Sequence, residues 1–246
     1  MYIDVHCHLD MLKNIDEIIK NAKKKNVNVI VSAGVDIETN RKTLELSEKF
    51  QEVRACLGIY PDEALKMSDK EIDSEIEFIN KNKEKVWGIG EVGMDFSGND
   101  KDNEKQERVF EKFIELSKKL DKPIVVHSRK AEEECIEVLE KLKAKKVVMH
   151  YFSGRLKLVE RIVNNGWMLS IPTAVKNSEH FQKVVEIVPI ENLLCETDSP
   201  YSHPDKKFPN EPANVVESYK MIAKIKGLGL NEVEEKIEKN FERLVK

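Results

Sequence analysis

Six side chains with metal-binding chemistry stand at the ends of apolar runs. His6 and His8 flank Cys7 in Asp4-Val5-His6-Cys7-His8, Glu91 follows Gly88-Ile89-Gly90, His127 closes Val125-Val126-His127, His150 closes Val147-Val148-Met149-His150, and Asp198 follows Cys195-Glu196-Thr197. In an extended strand alternate side chains share a face, so His6 and His8 project together with Asp4 while Val5 and Cys7 project the other way. A lone histidine at a strand end is ordinarily a solvated side chain. Here four of the six histidines end apolar runs, and with two carboxylates they make a donor set for divalent metal. Four imidazoles and two carboxylates exceed the usual three protein ligands of a transition-metal centre that keeps a position open, and so suit two ions. A carboxylate such as Glu91 can bridge ions about 3.5–4 Å apart, where a shared, metal-activated water becomes a nucleophile near neutral pH. Imidazole and carboxylate donors without thiolate are compatible with Zn, Mn, Fe or Mg. Cys7 lies on the opposite face and reads as buried packing.

Bringing these groups together requires strand ends that converge. Apolar runs of strand length fall at 2–6, 27–33, 53–59, 86–91, 124–127, 147–150, 167–171 and 193–196. Segments with helical spacing lie between them at 14–25, 38–49, 69–83, 103–120, 131–144, 156–165, 178–188 and 211–226, with a last one at 232–244. Such alternation predicts an α/β fold of parallel β-α units with right-handed crossovers, and at this length a single (β/α)8 TIM barrel over residues 1–246. In the rival open, doubly wound sheet, with neighbouring strands about 4.8 Å apart, strands one, four, five, six and eight are too spread to share a site. Closing the sheet brings all six groups to one mouth, at the carboxyl ends where barrel enzymes hold their chemistry. The tract from Ser199 to Asn210, rich in turn formers, follows the eighth strand and reads as a functional loop. Asn210 is the expected cap of the helix after it, with Pro212 in the first turn.

Composition excludes other classes. The net charge of −4 gives no global basic field, so a nucleic-acid partner must be argued from local charge. No run of about 18 apolar residues predicts a membrane span, and the opening strand-like run lacks the pattern of a secretory signal. Cys7, Cys56, Cys135 and Cys195 are far apart and form no CxxC pair, which fits reduced thiols and a cytoplasmic location. The charged fraction of 35% is rich in Lys and Glu, as in heat-adapted chains. Nothing in the sequence implies an obligate protein partner.

The ordered set His6-Cys7-His8, Gly90-Glu91-Val92-Gly93-Met94-Asp95, Val126-His127-Ser128-Arg129, His150-Tyr151-Phe152-Ser153-Gly154, Glu196-Thr197-Asp198-Ser199-Pro200-Tyr201 and Asn210-Glu211-Pro212-Ala213-Asn214-Val215 resembles the TatD family of metal-dependent deoxyribonucleases, within the amidohydrolase-like superfamily, over nearly the whole chain. The resemblance implies a TIM-barrel hydrolase with two divalent ions, Zn, Mn or Mg, acting on phosphodiester bonds of DNA from strand ends. It implies that His6, His8, Glu91 and Asp198 hold one ion and that Glu91, His127 and His150 hold the second. Asp198, a ligand beside the attacking water, is then the expected general base, with Glu91 the other carboxylate of the reaction. Asp4 and Glu196 are placed to orient ligands.

Substrate contacts are expected in the loops that follow these strands. Arg129 and Arg155 come directly after ligand-bearing strands, and Lys130, Lys206 and Lys207 sit in loops of the same rim, where they suit phosphate. Tyr60, Phe152 and Tyr201 are candidates to stack on bases. The chain departs from the family pattern at Tyr60, where His is more frequent, near Asp62, where a second His is common, and at Pro209, where Arg is common. Those departures touch substrate contacts and leave the ligands intact. The alternative substrates are RNA or tRNA, through an amide or ester hydrolase such as a D-aminoacyl-tRNA deacylase, and a third reading is a barrel that binds without catalysis.

Overall fold

The computed structural model describes residues 1–98 and 102–245. One sheet carries eight strands in chain order: β1 Tyr2–Cys7, β2 Val27–Ala33, β3 Val53–Leu57, β4 Val86–Gly93, β5 Ile124–His127, β6 Val147–Met149, β7 Met168–Pro172 and β8 Leu193–Glu196. Each pairs in parallel with the next. Beyond β8 the chain meets β1, where Asp198 N–H donates to His6 O at 3.0 Å and His8 N–H donates to Ser199 O at 2.7 Å. The sheet thus curls into the nearly closed (β/α)8 barrel that the alternation predicts.

The strands form because their residues are apolar on both faces, as a sheet with a filled lumen and a helical jacket requires. Val147, Val148 and Met149, which make up β6, are all fully buried. The jacket consists of α1 Ile15–Lys24, α2 Ile37–Lys49, α3 Pro61–Lys66, α4 Asp69–Lys81, α5 Asn103–Leu120, α6 Glu132–Lys141, α7 Leu156–Asn164, α8 Glu179–Ile187, α9 Val216–Lys226 and α10 Leu230–Val245. Several starts are fixed by side-chain caps. Asp36 accepts Thr39 N–H at 2.8 Å at the head of α2, and Ser68 and Glu71 cap α4 reciprocally, with Ser68 N–H donating to Glu71 Oε2 at 2.7 Å. At the amino end of the barrel Trp87 of β4 stacks on Phe241 of α10, their ring centroids 5.2 Å apart.

Two segments differ from expectation. The turn after β3 carries the six-residue α3, too short to show helical periodicity, with Pro61 in its first turn. The helix expected over 211–226 begins as a 3-10 turn, Pro212–Val215, before α9. Asn210 does not cap it. Its amide nitrogen donates to Thr197 O at 3.0 Å and Thr173 Oγ1 at 3.2 Å, and its Oδ1 accepts Glu211 N–H at 2.9 Å, so the loop after β8 is pinned across the ends of β7 and β8. No described helix is long and apolar enough to cross a membrane.

Candidate metal centre

The carboxyl end of β1 presents two imidazoles to the mouth. His8 Nδ1 lies 3.0 Å from Ala33 O, the last residue of β2, and this contact puts the ring's N–H at Nδ1 and turns Nε2 inward. From there His8 Nε2 is 3.4 Å from Glu91 Oε2 and 3.6 Å from Asp198 Oδ1. His6 Nε2 faces the same two carboxylates at 3.4 Å and 3.7 Å. Cys7, between them, points away, with Sγ at 3.5 Å from Val31 O. All four cysteines are buried and unpaired.

Glu91 is the centre of the cluster. Its Oε1 is 2.9 Å from His127 Nδ1 and 3.0 Å from His150 Nε2, and its Oε2 faces His6 and His8, so one carboxylate meets four imidazoles. The strand can carry Glu91 so close to β5 because Gly93, at φ +143°, has no Cβ. A Cβ there would lie 1.9 Å from His127 O.

The remaining groups are held from behind. His150 Nδ1 lies 3.4 Å from Glu196 Oε2, and Glu196 is itself fixed by Ser170 Oγ at 2.5 Å and by Tyr151 N–H at 3.0 Å. Asp4 accepts Thr197 N–H at 2.9 Å and Thr197 Oγ1–H at 2.6 Å, which clamps the backbone next to Asp198. His127 Nε2 lies 3.1 Å from Asp95 Oδ2, and Tyr60 donates its hydroxyl to the same oxygen at 3.0 Å. Two overlapping groups have donor atoms all within 4.8 Å of one another: His6, His8 and Asp198, and His6, Glu91 and His150. The six sequence-predicted ligands therefore converge, but the groups differ from the expected division. His6, and not Glu91, belongs to both groups, Glu91 falls only in the second, and His127 is in neither, standing beside Glu91 with its far nitrogen turned to Asp95.

The electrostatics suit a cation. Burial opposes a charge on Glu91, yet the charge on His150 and the contacts from His127 and His150 outweigh it and hold the carboxyl well below its usual range. Burial likewise disfavours charge on the histidines. Against it, Asp198 and Glu91 push His8 up to about 9, and Glu91 and Glu196 push His150 well above an ordinary imidazole. His6 goes the other way, lowered by burial and by His150. Among the described residues neither ring nitrogen of His6 has a hydrogen-bond partner, although the ring is fully buried, and a neutral imidazole buried with both its N–H and its lone pair unmatched needs another partner. A divalent ion satisfies both demands, since it supplies positive charge to the carboxylates and takes the lone pair of the neutral imidazole. The donors present fit a metal.

The cluster opens into a cleft of about 700 Å³, lined among others by Tyr60, Arg129, Tyr151, Asp198 and Tyr201. Of the predicted substrate contacts, Arg129 and Tyr201 line it, and Arg129 is exposed with no ion pair among the described residues. Arg155 lies outside the lining and pairs with Glu133. Lys206 is exposed on the loop after β8, also outside the lining. Phe152 is buried and so unavailable at the rim, a correction to the stacking role expected for it. Asp95, four residues after Glu91, was given no role from sequence. Its only signal was its place in the run Glu91-Val92-Gly93-Met94-Asp95. Tyr60 was read as a stacking ring, whereas its hydroxyl is bound into the Asp95–His127 pair, and burial with the charges of Glu91 and Asp95 keeps it protonated.

Comparison with known proteins agrees with this geometry. The family described as TatD related DNase matches residues 3–246. An uncharacterised metal-dependent hydrolase of Methanocaldococcus jannaschii is 38% identical over 97% of this chain and 94% of its own. The human deoxyribonuclease TATDN3 is 35% identical over 98% of this chain and 93% of its own. Among solved structures, the TatD homologue YjjV of Escherichia coli superposes with a TM-score of 0.91 at 25% identity, covering 97% of this chain and 95% of that one.

Proposed function

Since this chain belongs to the TatD family of metal-dependent hydrolases, we propose that it is a deoxyribonuclease that releases nucleotides from the ends of DNA at a site for two divalent ions, Zn, Mn or Mg. The observation that carries this reading is the single carboxylate, Glu91, shared by four imidazoles at the floor of a cleft that Arg129, exposed, also lines. In this reading His6, His8 and Asp198 hold one ion, and Glu91, His150 and His127 hold the other with help from His6. Divalent ions bound there neutralise phosphate charge and acidify water.

The chain's own residues do the rest. Arg129 binds a non-bridging phosphate oxygen with its guanidinium, and Tyr60, kept neutral, spends its hydroxyl proton on Asp95 and so steadies the His127 side of the cleft. Asp198 is the most open carboxylate of the cluster, its side chain 17% exposed against 4% for Glu91, so it is the one that can take a proton from water entering the cleft. Water adds to phosphorus, its proton goes to an Asp198 carboxylate oxygen, the P–O bond breaks, and the leaving oxygen takes up that proton, which restores the carboxylate. The products are a phosphate monoester and a free hydroxyl. A cytoplasmic setting is supported by the four unpaired, buried thiols.

The test is a gel time course of end-labelled single-stranded DNA with metal-stripped protein, adding back Mg, Mn or Zn in turn, with Asp198→Asn alongside. A metal-restored ladder that is absent in the variant is expected. Intact DNA under every metal, from protein that binds two ions, overturns the nuclease reading and turns the search to amide, ester and aminoacyl-tRNA substrates.

A further inference from the structure

Three large apolar side chains stand in solvent beside the cleft. Met11 is 42% exposed, Tyr201 51% and Phe208 73%. Single exposed apolar residues are ordinary on any surface, but these three adjoin one another at the rim of a site, where such a patch marks contact with a ligand. The rings of Tyr201 and Phe208 are 6.5 Å apart at a tilt of 46°, and Tyr201 Oη is 3.8 Å from Met11 Sδ. Tyr201 N–H donates to Asp198 O at 2.8 Å, so the ring is anchored one tight turn from the cluster.

Met11 also forms the wall between the cleft and a second depression of about 660 Å³ that Phe208 and His203 line. The same loop carries Lys206 and Lys207, both exposed and without an ion pair among the described residues, whereas its Asp205 is already paired with Lys176 at 2.7 Å. A hydrophobic step flanked by exposed ammonium groups thus leads directly out of the cleft.

We propose that Tyr201, Phe208 and Met11 form a stacking subsite for an unpaired base of the strand whose phosphate lies in the cleft. This rests on the nuclease reading and names the side chains that hold the strand beyond the cleft. A base in a duplex is already stacked on both faces and has none to offer, whereas an unpaired base can lie on an aromatic ring whatever its identity. The two lysines then meet the phosphates that follow, which a purely apolar partner would leave unanswered.

The test is fluorescence anisotropy of a labelled oligothymidylate on the Asp198→Asn protein, which blocks turnover, in the presence of Mg. Adding Phe208→Ala or Tyr201→Ala is expected to weaken binding roughly tenfold or more each, the scale of one lost base–aromatic stack. Phe208→Trp is expected to retain binding and to show quenched indole emission as the strand is added. A strand with abasic terminal residues should bind the unsubstituted rim as poorly as the intact strand binds the alanine variants, and the corresponding duplex should bind less well than the single strand. Unchanged affinity in both alanine variants, or equal binding of the abasic strand, overturns the subsite. If the protein cleaves DNA while those results are flat, the subsite alone fails. If it neither binds nor cleaves any nucleic acid, the nuclease reading fails with it.

Discussion

Glu91 Oε1 and His150 Nε2 lie 3.0 Å apart, which ties the end of β4 to the residue after β6 across the floor of the mouth. The other oxygen of Glu91 faces β1, so this carboxylate joins the two halves of the cluster. Glu91→Gln keeps the shape but removes the carboxylate's charge and presents an amide nitrogen to an imidazole. Its metal affinity, read by calorimetric titration, should fall by more than the ~10–100-fold that loss of a supporting group costs. Stoichiometry and affinity equal to the unsubstituted protein would remove Glu91 from the centre.

Glu196 acts at one remove, through the 3.4 Å contact of its Oε2 with His150 Nδ1. It is held by Ser170 and by the backbone of Tyr151, so its position is fixed whether or not metal is bound. Glu196→Gln should lower metal affinity about 10–100-fold while the cluster's other donors still bind. Glu196→Asp, which keeps the charge but shortens the reach, should recover part of that loss. A purely structural role would instead show a lowered melting temperature with metal affinity unchanged.

Because Asp198 is also a ligand in this reading, the variant is compared at saturating metal, where Asp198→Asn should lower kcat by about 10²–10⁴-fold, the usual contribution of a positioned proton acceptor, and leave KM for DNA within a few-fold. The steady-state split between kcat and KM reads this directly. Near-normal kcat would transfer the proton to another group.

Metal removal should also be visible without substrate. Ions that bind the folded barrel and not the unfolded chain stabilise it by RT ln(1 + [L]/Kd), about 2.7 kcal/mol at a hundredfold excess over Kd. Thermal melts with EDTA and with Mn or Zn should therefore differ, and the Glu91→Gln protein should show little of the difference. Coincident melts for the unsubstituted protein would argue against a resident metal.

The barrel and the convergence of the six donors are legible in the sequence because both follow from short-range regularities. Strand runs such as Val147–Met149 are apolar throughout, and a chemical residue at the end of each run falls at one mouth once the sheet closes. Relations that depend on side chains from distant segments were not legible. The pairing of Asp95 and Tyr60 with His127 joins the loops after β3, β4 and β5, and no spacing encodes it. The partner of Arg155 is hidden in the same way: its position after β6 points to the mouth, and nothing in the spacing announces its pairing with Glu133 in the first turn of α6. His6 faces both groups because its strand passes between Glu91 and Asp198, a fact of barrel curvature and not of sequence order.

The same curvature makes Gly93 a sensitive position. At φ +143° it holds a conformation that L side chains rarely adopt, and a Cβ would press to 1.9 Å from His127 O, which is backbone and cannot swing aside. Gly93→Ala must therefore push β4 away from β5, carrying Glu91 off His127 and His150 together. The expected loss is about 4 kcal/mol or more, in the range reserved for backbone clashes at special positions. Gly166→Ala is the control, because Gly166 also has a positive φ, +72°, but nothing within 4 Å of the added methyl. There only the left-handed strain remains, about 1 kcal/mol. Chemical denaturation of the two variants should separate them clearly, and metal affinity should fall only for Gly93→Ala. Equal stabilities would mean that β4 and β5 tolerate separation and that the closeness of Glu91 to His127 is set elsewhere.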